Sequence, residues 1–86
     1  MSRVIVYSTA TCPICDRAKS MLQKWRIEYT EVAIDASNEA RREFVEATNG
    51  ARTVPQIIID GQLIGGFSEL TELHMDGELD DLMPPG

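Results

Sequence analysis

The spacing of apolar residues changes several times along the chain, and each change marks an element. Val4, Ile5 and Val6 are apolar in succession, which predicts a short strand over residues 3–7, covered on both faces. Ser8-Thr9-Ala10-Thr11 reads as a polar turn. Pro13 suits the first turn of a helix, where its missing N–H costs nothing. Ile14, Ala18, Met21, Leu22 and Trp25 then recur at helical spacing, with Arg17, Lys19, Gln23 and Lys24 on the other face. A second strand is predicted over residues 28–34, with Tyr29, Val32 and Ile34 as packing residues. Ser37 is a candidate N-cap for a second helix that packs through Ala40, Phe44, Val45 and Thr48 and ends at Asn49-Gly50. Ile57-Ile58-Ile59 predicts a third strand over residues 55–59. Asp60-Gly61 is a two-residue hairpin signal, returning a fourth strand over residues 62–64. Gly65-Gly66 breaks that strand, Ser68 opens a third helix with Leu70 and Leu73 inward, and Gly77 stops it. Leu79 and Leu82 pack the end down, and residues 83–86 read as a tail.

The order β-α-β-α-β-β-α predicts an α/β fold: a four-stranded mixed sheet with helices on both faces. The 86 residues make one small domain, 1–86, near the size at which a single core becomes marginal. No internal repeat, linker or low-complexity stretch divides it.

Composition narrows the function classes. A chain 43% hydrophobic and 26% charged is expected to fold. No run approaches the ~20 apolar residues of a membrane span. The net charge of −6 disfavours nucleic acid as a partner. The charge is uneven: residues 1–30 carry five basic and two acidic side chains, whereas Glu69, Glu72, Asp76, Glu78, Asp80 and Asp81 have no base among them. That acidic stretch reads as a solvated face. Met1-Ser2-Arg3-Val4 leads straight into a strand pattern with no signal-peptide layout, so a cytoplasmic protein is expected.

In such a compartment a lone cysteine pair points to redox or metal chemistry rather than to a structural staple. Cys12-Pro13-Ile14-Cys15 holds the only two cysteines, at a strand-to-helix turn. A thiolate is the attacking species, and the unpaired N–H groups of a helix start favour a negative sulfur on Cys12. Cys15, about one turn deeper, is placed to resolve a mixed disulfide on Cys12. Structural zinc needs four ligands, and His74 is the only other strong candidate, so no metal is expected. Thr53-Val54-Pro55 is the second informative piece. A proline there is compatible with a simple strand start. Beside a C-x-x-C turn it resembles the cis-proline of thioredoxin-fold proteins, in which the main chain of Val54 would face the sulfur.

Three pieces in order then carry a family resemblance: Cys12-Pro13-x-Cys15; Gly50-Ala51-Arg52-Thr53-Val54-Pro55-Gln56; and Ile64-Gly65-Gly66 followed by Ser68. The chain resembles a glutaredoxin of the small bacterial dithiol type, from the first strand to Leu82. The resemblance implies a thioredoxin fold and a monomeric oxidoreductase that uses glutathione as co-substrate. Its implied substrates are protein disulfides and glutathionylated thiols, ribonucleotide reductase among the candidate partners. It implies catalysis by Cys12 and Cys15. It also implies a glutathione groove of Arg42, Arg52, Thr53, Val54, Pro55, Ser68 and Glu69. Arg42 and Arg52 would hold the glycine carboxylate, a pairing suited to guanidinium. Ser68 and Glu69 would hold the γ-glutamyl end at a helix start. Arg41 reads as exposed helix charge.

This chain departs from the family at four places: no lysine precedes Cys12, Ile14 replaces an aromatic, Phe67 replaces a cysteine, and Glu69 replaces an aspartate. Phe67 also fits redoxins that serve ribonucleotide reductase and are reduced by thioredoxin reductase, although Arg52 counts against them. A glutathione-assisted iron–sulfur carrier is a further alternative, disfavoured by Pro13 and by the resolving Cys15.

Overall fold

The computed structural model describes residues 2–84. Strands β1 (Val4–Ser8), β2 (Thr30–Ala33), β3 (Gln56–Ile59) and β4 (Gln62–Gly65) form one sheet in the order β2-β1-β3-β4. β1 runs parallel to β2 and antiparallel to β3, and β3 pairs antiparallel with β4. The sheet is therefore mixed, as the element order predicts. Helices α1 (Pro13–Lys24), α2 (Asn38–Thr48) and α3 (Phe67–Met75) and a 3-10 turn at Asp80–Leu82 complete the chain. The sequence pattern did not announce that last turn.

Strand alternation splits the apolar residues between two faces. Val4, Val6 and Ile57 pack with Ala18 and Leu22 of α1, Leu70 of α3 and Leu79. Tyr7, Ile34 and Ile58 pack with Phe44 of α2. Helices thus cover both faces. Two apolar residues depart from the expected packing: Ile14 is 51% exposed and Val45 is 47% exposed.

Local signals fix most element ends. Ser37 caps α2, its hydroxyl accepting the Ala40 N–H at 3.1 Å. Asn49 and Gly50 close α2 at φ 56° and 82°. Asp60 and Gly61 turn the β3–β4 hairpin with φ of 51° and 79°, the positive pair that a two-residue turn demands. The end of α1 is less obvious, because Arg26 takes the left-handed position at φ 61° where glycine is usual. Its N–H reaches the Gln23 carbonyl at 3.0 Å, and the Ile27 N–H reaches the Leu22 carbonyl at 2.9 Å. Ile27 and Leu22 are both buried in the core, and that apolar contact offsets the ~1–2 kcal/mol of a non-glycine residue in this conformation. Trp25, half-buried at this helix end, stacks on His74 of α3 with ring centroids 3.9 Å apart and planes 7° off parallel.

Arg3 ties the far end of the sheet. Its guanidinium donates to Asp60 through two bonds of 2.7 Å and to Asp81 at 3.1 Å. The pairing holds the Asp60 carboxyl below its usual range. The expected tail divides: Met83 packs against the core, Pro84 is exposed, and Pro85 and Gly86 lie outside the described residues. No helix among the described residues is long and apolar enough to cross a membrane.

Candidate active site

Cys12 stands at the N-cap of α1 with extended backbone, φ −118° and ψ 100°, and Pro13 follows at the first helical position. Its Sγ accepts the Cys15 N–H at 3.1 Å. Sulfur thus takes the place of the side-chain oxygen that normally caps a helix. An anionic sulfur would gain most from that donor and from the helix dipole. Cys12 is partly exposed, whereas Cys15 is fully buried at 0% exposure. The two sulfurs are bonded, with Cα atoms 5.2 Å apart, so the structure represents the oxidised pair.

A second wall comes from the loop before β3. The Val54–Pro55 peptide bond is cis, and the Val54 carbonyl oxygen lies 3.7 Å from the Cys12 sulfur. Gln56 holds the loop from behind, its amide donating to the Thr53 carbonyl at 3.1 Å and hydroxyl at 3.2 Å. The start of α3 closes on the same loop. A Cβ on Gly66 would lie 3.5 Å from the Pro55 carbonyl. α3 begins at Phe67, one residue before the expected Ser68, because the Gly66 N–H is capped by Glu69 Oε1 at 2.7 Å. Gly65, at φ +121°, has no room for a side chain: a Cβ there would meet that same oxygen at 2.9 Å. Ser68 and Glu69 are both exposed in the first turn of α3, where backbone N–H groups have no helical partner.

Beside Val54 opens a pocket of about 380 Å³. Thr9, Arg41, Arg52 and Val54 line it, with Phe44 and Val45 among the apolar walls. The polar turn before Cys12 carries no cation, but α2 brings one there: Arg41, not Arg42, lines the pocket with Arg52. Arg42 is exposed on the neighbouring helix position. The signal for Arg41 was its spacing, three residues before buried Phe44 and four before Val45, at the edge of the apolar stripe.

Two polar networks that the sequence did not single out brace the strands. The buried Ser8 hydroxyl donates to Glu31 at 2.7 Å, and Lys19 of α1 donates to the same carboxylate oxygen at 2.7 Å. The Lys19 and Ser8 hydrogen bonds, in that order, hold the Glu31 carboxyl below its ordinary value of 4.5. On the other face the Tyr7 hydroxyl donates to Glu43 of α2 at 2.8 Å. Burial first, and the Glu43 carboxylate second, push Tyr7 up to about 12. Among the described residues no cluster of three or more histidine, cysteine, aspartate or glutamate side chains is arranged to hold a metal.

The sequence model of the glutaredoxin family matches residues 4–64. Glutaredoxin 3 of Escherichia coli K12 is 43% identical over 83 residues, spanning 96% of this chain and 99% of that protein. Among solved structures, a buckwheat glutaredoxin–glutathione complex superposes with a TM-score of 0.80 at 27% identity, covering 95% of this chain and 76% of that one. The dithiolic glutaredoxin 2-C-Grx1 of Trypanosoma brucei brucei does so with a TM-score of 0.79 at 36% identity, covering 96% and 88%.

Proposed function

The chain belongs to the glutaredoxin family, with a thioredoxin fold and a thiol–disulfide oxidoreductase role, and from that premise we propose that glutathione is its electron donor. The observation that carries this reading is the pocket in which Arg41 and Arg52 flank Val54, itself 3.7 Å from the Cys12 sulfur. Two guanidiniums with no carboxylate on the same pocket suit the glycine end of the tripeptide. Arg41 takes the part of the absent lysine, because Arg42, one helix position on, does not line the pocket. The main chain of Val54, turned out by Pro55 and braced through Thr53, pairs with the cysteinyl backbone. The first turn of α3, at Ser68, receives the γ-glutamyl carboxylate. Glu69 offers its second oxygen to the ammonium, the first being held by Gly66. The buckwheat glutaredoxin, a relative of the same fold solved in complex with glutathione, supports this assignment.

Cys12 is then the nucleophile and Cys15 the resolving thiol, as their exposures suggest. The Cys12 thiolate attacks one sulfur of a substrate disulfide, forming a mixed disulfide and releasing the other sulfur as thiolate. Cys15, deprotonated, attacks the Cys12 sulfur and releases the second substrate thiolate. The substrate gains two electrons and takes up two protons, and the enzyme is left as the Cys12–Cys15 disulfide. Two glutathione molecules return it to the dithiol and leave as glutathione disulfide. Glutathionylated thiols need Cys12 alone, with a second glutathione releasing the enzyme. Such a cycle belongs in a reducing cytoplasm.

An electron-donor assay tests the reading. Glutathione with its reductase should drive turnover, and Cys15→Ser should keep deglutathionylation while losing reduction of protein disulfides. Turnover by thioredoxin reductase alone would assign the protein to the redoxins that it also resembles. Cluster absorbance after anaerobic reconstitution, with no disulfide turnover, would favour the iron–sulfur carrier.

A further inference from the structure

A second cavity, of about 500 Å³, opens between α1 and α3, on the other side of the sheet from the arginine pocket. Asp16, Arg17, Ser20 and Met21 of α1 line it, with Phe67 of α3, and its walls are mostly apolar. It is continuous with the cysteine turn in two ways. Ile14, Arg17 and Met21 follow one another at three- and four-residue spacing, so they form one stripe along α1 that begins between the two cysteines. Phe67 directly follows Gly66, which abuts the Pro55 carbonyl. Ile14 is 51% exposed at the head of the stripe, an apolar side chain that packing does not explain. The charge at the rim is not neutral in effect, because Asp16 lies 3.4 Å from Lys19 while Arg17 has no ion pair among the described residues.

We propose that this groove binds the polypeptide whose disulfide is being reduced, taking an apolar side chain next to the attacked half-cystine and favouring an acidic residue after it. The inference rests on the thiol–disulfide reaction but not on glutathione as donor. During that reaction Cys12 Sγ is joined to the substrate sulfur, so the flanking residues of the substrate lie within reach of the α1 stripe. Glutathione has no side chain to place there. The groove therefore separates protein substrates from the small co-substrate, with Arg41 and Arg52 serving the latter. The apolar contact lowers the barrier to forming the mixed disulfide, and the electron balance is unchanged: two electrons pass from the Cys12–Cys15 dithiol to the substrate disulfide.

The test uses the pre-reduced protein in single turnover, with no glutathione present, and synthetic peptides that each contain one intramolecular disulfide. Two peptides differ only in carrying leucine or serine after the first half-cystine. Acid-quenched samples resolved by chromatography should give a second-order rate about tenfold higher for leucine, as burying one such side chain predicts. Met21→Gln should bring that ratio below about two. A second pair carries aspartate or lysine after the leucine. The parent protein should favour aspartate by about two- to threefold, and Arg17→Glu, at an exposed position, should reverse the preference. Because each result is a ratio within one variant, a general loss of reactivity does not imitate it. Equal rates for leucine and serine in the parent protein, or an unchanged ratio in Met21→Gln, would overturn the proposal. If Met21→Gln fails to fold, the Arg17→Glu reversal decides: no reversal overturns it.

Discussion

Between the sheet and helices α1 and α3 lies a cluster of eight buried residues, whereas between the sheet and α2 lies a cluster of four. The thicker side holds the helix that presents Cys12, and there Leu22 is fully enclosed. On the thinner side Phe44 packs on the sheet and also walls the arginine pocket, so one residue belongs to both the core and the pocket proposed for glutathione. The contrast teaches that the position of the sulfur is guarded by packing, while the proposed glutathione pocket is borrowed from a lightly packed face. Polar braces make up part of the difference, most clearly the Tyr7–Glu43 bond that ties β1 to α2.

Five substitutions break or sharpen that contrast. The largest effect is expected from Leu22→Ala, at about 3–4 kcal/mol by urea unfolding. Phe44→Ala should cost less, about 3 kcal/mol, at the low end for a buried phenylalanine, because one side of it walls the pocket. Equal or inverted costs would remove the asymmetry. Next, Arg52→Ala should raise the KM for glutathionylated substrate about tenfold, roughly 1.4 kcal/mol, with stability unchanged to within about 0.5 kcal/mol. A fall in the unfolding midpoint would make Arg52 a structural residue instead.

Tyr7→Phe should cost about 1 kcal/mol, the net worth of one hydrogen bond. Folding raises the Tyr7 value from 10.0 to about 12, so this stabilisation is full below pH 10 and is lost as the pH rises towards 12. Ultraviolet titration should show a late phenolate transition that the variant lacks. The smallest effect belongs to Glu31→Gln, under about 1 kcal/mol for a carboxylate this exposed. Folding lowers the Glu31 value, so its contribution is full above about pH 4.5 and disappears as the pH falls through the folded value. Urea midpoints of parent and variant should therefore differ at pH 7 and converge in acid.

What was legible in the chain was local. Pro13, Ser37, Asp60-Gly61 and Gly77 act within a few residues, and each element they bound was anticipated. Cys12, Cys15 and Val54-Pro55 were legible for the same reason, since a short motif carries the needed backbone. The end of α1 was harder, because Arg26 occupies a left-handed position and the compensating contact between Ile27 and Leu22 is an apolar one. Helical period alone also placed Ile14 and Val45 among the packing residues. Whether the next layer covers an apolar position depends on the tertiary fold, and here Val45 borders one pocket and Ile14 leads into another. Arg41 is exposed, as its reading as helix charge expects, but its place in the pocket was not legible for that reason too: its neighbours Thr9 and Arg52 come from other parts of the chain.

The stacked pair at the far end of α1 gives the molecule a built-in optical gauge. Trp25 is the sole tryptophan, and the 12-residue helix sets it about 18 Å along the axis from the cysteine end. Its emission therefore reports the docking of α1 against α3 rather than the oxidation state of the sulfurs. Unfolding strips His74 from the indole face and lets water reach it, so a red shift tracks loss of the fold in either redox form. The same sample can then be followed for stability by light and for turnover by chemistry, without a label on either.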